Sequence, residues 1–178
     1  MSLPPALRNR RGRPRAQGFT LVELLMVVAV LAILAGLVVP TMGAADRARL
    51  RAATRLLAAD LEYAQAESMS HGGDPRLVVF DARERSYRVV AASTPDVPIT
   101  HPGDGQPYET RFGVGRAADL LGVTFRRLAL GGDDVLGFGA WGELDQTDAA
   151  TITLALGDRE VTITVTSDTG ELSIGEIR

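Results

Sequence analysis

The chain has 178 residues, a formal charge of −3, no cysteine and no lysine, so all 19 of its cations are arginine. Those counts exclude disulfide frameworks, zinc-thiolate sites, thiol nucleophiles, Schiff-base lysines and P-loop lysines. The length fits one domain of ordinary size, large enough to bury a core, plus an apolar segment near the start. Charge is uneven along it: Arg8, Arg10, Arg11, Arg13 and Arg15 precede Gly18, and residues 19–178 hold 14 arginines against 22 acids. That acidic remainder argues against general affinity for nucleic acid or anionic lipid.

The basic leader, residues 1–18, contains no acid and runs into "FTLVELLMVVAVLAILAGLVV", residues 19–39, which is apolar apart from Thr20 and Glu23. At 1.5 Å per residue such a helix reaches roughly 30 Å, the thickness of a bilayer's hydrocarbon core. The leader would remain cytoplasmic by the positive-inside tendency, although Arg47, Arg49, Arg51 and Arg55 beyond the span reduce the asymmetry. Two simple readings are a cleaved secretory signal, with small residues at Gly43, Ala44 and Ala45, and a plain single-span anchor. Neither gives Glu23 a task, and a carboxylate at that depth costs several kcal/mol unless it is paired.

"GFTLVELL", residues 18–25, resembles the processing site of type IV pilins and type II secretion pseudopilins. The resemblance implies that a prepilin peptidase cuts between Gly18 and Phe19 and methylates the new Phe19 amine. It also implies that Glu23, the fifth residue after the cut, is an assembly residue. An isolated carboxylate in lipid would protonate or draw in water, whereas the amine of a neighbouring subunit would neutralise it at one axial offset only. Pro40 stands where these proteins often carry a helix-kinking proline.

Residues 44–70 are rich in alanine, leucine, arginine and glutamate, without proline or glycine, a composition that favours helix. Leu50, Leu57, Leu61 and Ala64 form an apolar stripe flanked by Ala53, Leu56 and Ala58. Arg51, Arg55, Asp60, Glu62 and Glu67 are expected largely outside it. The helix should stop near Gly72 and Gly73.

Residues 76–80 and 86–90 read as strands joined by the turn "DARER". Residues 94–115, rich in proline and glycine, read as a loop. Strands are expected at 123–130, more weakly at 135–141, and as a clear hairpin "TITLAL…VTITVT" closed by "GDRE". In that hairpin Ile152, Leu154 and Leu156 face the same way as Val161, Ile163 and Val165, with threonines opposite. "ELSI", residues 171–174, adds a last strand.

The expected fold is α+β. A long N-terminal helix (membrane half 19–39, amphipathic half 40–71) packs on an antiparallel β domain of about seven strands, residues 72–178. Its order, together with "DLEYAQAESMSHGGDPRLVVF" and "TGELSI", is similar to the GspH/FimT family of minor pseudopilins. The resemblance implies a structural subunit of a type II secretion system. Such a subunit is single-pass in the bacterial inner membrane, has a periplasmic β domain, and has prepilin peptidase and other pseudopilins as partners. A FimT-like minor type IV pilin, for pilus priming or DNA uptake, is the alternative. DNA binding is disfavoured by the acidic domain and by an end, "SDTGELSIGEIR", with Arg178 as its one cation. A secreted soluble binding domain released near Ala45 is the third reading.

No cofactor or metal is expected, and no enzyme activity. His71 reads as a helix C-terminal cation, and His101 lies in the "THPGDG" loop without evident partners. No serine stands in a nucleophile-elbow context. "FGVGR", residues 112–116, lacks the third glycine of a dinucleotide fingerprint and reads as a loop. Asp133 and Asp134 in "GGDD" read as a turn, since a calcium site takes about six oxygens. Trp141 fits either a packed position or a partner surface.

Overall fold

The computed structural model of the chain describes residues 19–178, except the side chains of 36–42. The leader and Gly18 lie outside the described residues. Two compact units divide the chain, Met1–Thr41 and Met42–Arg178.

One helix, α1 (Leu21–Ser70), is assigned without interruption through Pro40. Thr20 opens it: its Oγ1 accepts the Glu23 N–H at 3.2 Å, and its carbonyl accepts the Leu24 N–H at 3.1 Å. A hydroxyl at that position satisfies an N–H that the first helical turn leaves without a partner. Among the described residues no helix is long and apolar enough to cross a membrane. The described side chains of the apolar run end at residue 35, short of the roughly 20 residues a span takes. The expectation for 19–39 therefore extends past them.

In the second unit α1 buries Leu50, Ala53, Leu57, Leu61 and Ala64 completely, as the stripe predicts. It ends at Ser70, just ahead of Gly72 and Gly73. Asp60 departs from expectation: it is only 4% exposed and sits in the stripe, one residue before Leu61. A charge there is tolerable only because four side chains hydrogen-bond to it.

Nine strands follow where about seven were expected, in two antiparallel sheets. The first contains β1 (Arg76–Asp81), β2 (Ser86–Ala91), β3 (Thr94–Pro98), β4 (Glu109–Arg111) and β6 (Val135–Gly137), in the order β3-β2-β1-β6 with β4 also on β2. The second runs β5-β7-β8-β9, from β5 (Thr124–Ala129) through β7 (Ala150–Leu156) and β8 (Arg159–Val165) to β9 (Leu172–Ile174).

The two additional strands, β3 and β4, fall in the segment read as a loop. β3 is nearly all exposed and contains Pro95 and Pro98, which a sheet accepts only at its edge. A 3-10 helix, Gly115–Leu120, follows β4. The segment 135–141 is shorter than expected: pairing beyond Gly137 is reduced to one bridge, Phe138 to Leu144.

The β7–β8 hairpin has the expected register, Ile152 opposite Ile163 and Leu154 opposite Val161. All four side chains are buried. Phe80 of β1 meets Phe125 of β5 edge-on at 5.5 Å, joining the sheets into one core with the leucines of α1.

Candidate assembly site

Two regions hold side chains placed for work, one at the start of α1 and one inside the β domain. At the first, Phe19 is 80% and Leu21 76% exposed, and every described side chain through residue 35 is exposed on all sides of the helix. A helix apolar around its whole circumference belongs in a lipid or protein interior and not in water. Glu23 projects from its first turn, is exposed, and makes no ion pair among the described residues. The helix dipole favours an acid there. "TLVE", Thr20 to Glu23, also has the spacing of a capping box, which gives both residues a local role.

The second region is centred on Asp60. Its Oδ2 accepts the Tyr87 hydroxyl at 2.5 Å and the Thr110 hydroxyl at 3.3 Å; Oδ1 accepts the Tyr108 hydroxyl at 3.0 Å. Arg116, from the 3-10 helix, closes the ion pair through Nη2 and donates Nε to Thr110 at 2.9 Å. Its guanidinium also lies 4.9 Å from the Tyr108 ring centre. Burial, then the Asp60 charge, pushes the Tyr87 and Tyr108 hydroxyls well above the usual tyrosine value. Burial alone would lower Arg116, but Asp60 and the two tyrosines outweigh it and raise it. Every group in the cluster is satisfied by another, so its chemistry is to fasten α1 to β2, β4 and the 3-10 helix.

His101 belongs to the rim of this cluster. Its ring stands edge-on to Tyr108 at 4.5 Å, with Nε2 2.9 Å from Arg116 and Nδ1 3.1 Å from Asp104. His71 sits at the end of α1 with Nδ1 3.0 Å from the Glu67 carbonyl. The "FGVGR" segment is anchored at both ends, by buried Phe112 and by Arg116. Asp133 folds back on the turn, accepting the Val135 N–H at 3.1 Å. Among the described residues no three His, Cys, Asp or Glu side chains come together as a metal site. Trp141 does not pack on the sheet: it is 86% exposed, on a turn where its N–H donates to Glu143 at 2.9 Å.

Residues 13–39 match the family model of the prokaryotic N-terminal methylation motif. That match supports the type IV pilin-like class. The motif implies processing by prepilin peptidase, membrane anchoring and assembly with other pilins, and its bearers are structural subunits. No curated protein and no solved structure matches the chain. Of the residues singled out in the sequence, Phe19 is exposed two residues ahead of α1, Glu23 is exposed in its first turn, Pro40 lies within the helix, and Gly18 is outside the described residues. Tyr87, Tyr108, Thr110 and Arg116 have no role in the sequence reading, and Asp60 is expected there outside the stripe. The available signal was an aspartate amid the leucine stripe.

Proposed function

We propose that the chain is a minor pseudopilin of the GspH/FimT kind in a type II secretion system. The match of residues 13–39 to the methylation motif supports the pilin-like part of this reading. Prepilin peptidase cuts between Gly18 and Phe19 and methylates Phe19. Residues 19–39 span the bacterial inner membrane, Pro40 bends the helix beyond them, and the β domain faces the periplasm.

Glu23 sets the register of assembly. In lipid it is stable only beside a cation, and the methylated amine of a neighbouring subunit supplies one at a single axial offset. The exposed Glu23, with apolar side chains on every side of it, supports that role. A subunit packed this way initiates or caps the pseudopilus that drives folded cargo outward.

A FimT-like minor pilin would use the same helix, so the host phenotype decides between them. Deletion of the gene should abolish release of folded extracellular proteins and leave surface pili intact. Loss of pili with secretion unchanged would assign the chain to the pilus instead.

A further inference from the structure

Arg47, Arg51 and Arg55 stand four residues apart on α1 and so lie above one another on one side of the helix. All three are exposed. Among the described residues none of them is ion-paired, whereas Arg49 leans on Asp46 at 3.6 Å. They form one wall of a groove of about 570 Å3, and Val161 of β8 with Ile174 and Ile177 form its apolar part. Among the described residues Glu176 is the one acid on its lining. β9 is the last strand of its sheet, so its outer edge has no strand partner among the described residues, and Ile174 on it is half exposed. Exposed edges of this kind are templates for another strand.

We infer that this groove receives an extended segment of another protein, with carboxylates at alternate positions, added as a strand beside β9. The two repeats agree. Helix residues four apart rise about 6 Å, and side chains on one face of a strand recur every 6.6 Å or so. Successive carboxylates of such a segment would each meet one guanidinium, a strong charge-assisted pairing. The residues between them would point to the opposite face of the added strand, away from α1. Single-stranded nucleic acid also offers regularly spaced anions, but its binding sites stack bases on aromatic rings. Among the described residues no aromatic side chain lines this groove.

The test uses the full chain in detergent micelles and a fluorescent peptide, Ser-Glu-Val-Glu-Val-Glu-Val-Ser, read by anisotropy. Binding should weaken with salt, fall about tenfold in Arg51→Ser, and be about tenfold weaker for a peptide of the same composition with its three glutamates contiguous. In Arg51→Glu, a peptide whose middle glutamate is replaced by arginine should recover binding. Equal binding of both acidic peptides would overturn the register. Absence of peptide binding would overturn the proposal. So would oligothymidylate, anionic phospholipid vesicles or self-association proving to be what Arg51→Ser abolishes.

Discussion

Asp60 on α1 and Arg116 on the 3-10 helix, 56 residues apart in sequence, form a largely buried ion pair whose carboxylate also accepts three hydroxyls. Removing one member of such a pair strands the other, which costs about 3 kcal/mol or more. We expect Asp60→Asn and Arg116→Met each to lower unfolding free energy by about 3 kcal/mol in urea titrations. Asp60→Asn combined with Arg116→Met should cost clearly less than the two single changes added. Additive losses would mean that the two residues stabilise the domain independently.

Asp60 also shows where the sequence could be read and where it could not. Leu50, Leu57, Leu61 and Ala64 are legible because burial repeats with the helix period, and the β7–β8 hairpin because apolar residues and threonines alternate across a short turn. Asp60 reads as solvent-facing in the sequence because its partners come from β2, β4 and the 3-10 helix, which no local pattern announces. β3 and β4 were missed for a related reason: one is exposed and contains prolines, and the other has three residues, so neither shows a period. At the N-terminus the motif was legible from glycine, phenylalanine and glutamate at fixed spacing. The cap from Thr20 was equally available but overshadowed.

The two tyrosines that donate to Asp60 give the fold an alkaline limit. Both have hydroxyls raised above the ordinary value of 10.0 by burial and by Asp60. A group raised in the folded state contributes stability that is full below its unfolded value and declines as pH rises above it. Unfolding free energy should therefore fall above about pH 10, and Tyr108→Phe should make that fall shallower. An identical alkaline slope in Tyr108→Phe would remove Tyr108 from the explanation.

Gln65 of α1 donates to the carbonyls of Gly142 and Thr169, at 2.8 and 2.9 Å, tying two turns to the helix. Gly170 beside them has φ +64°, and a Cβ there would run into the Gly142 carbonyl and the Gln65 amide. Gly115 has φ +55° but open space around it. Both changes to alanine incur the left-handed cost of about 1–2 kcal/mol. Gly170→Ala should be the more damaging of the two, with a visibly lower Tm. Equal losses would show that the turn yields to the new methyl group.

Capping and assembly at the start of α1 are separable. Thr20→Val removes the hydroxyl that accepts the Glu23 N–H, a loss of about 1 kcal/mol of helix stability. It should leave assembly intact. Glu23→Gln keeps the size and hydrogen-bonding capacity of the side chain but not its charge. It should be processed normally yet fail to cross-link to neighbouring subunits in membranes. Assembly of Glu23→Gln at the level of the unaltered chain would reduce Glu23 to a helix-start residue.

The most direct test is the N-terminal residue of the mature protein extracted from membranes, read by intact mass and terminal-peptide mass spectrometry. Processing between Gly18 and Phe19 predicts a chain that begins at N-methylated Phe19. A chain beginning near Asp46 would be an ordinary secreted domain, and assembly through Glu23 would be contradicted.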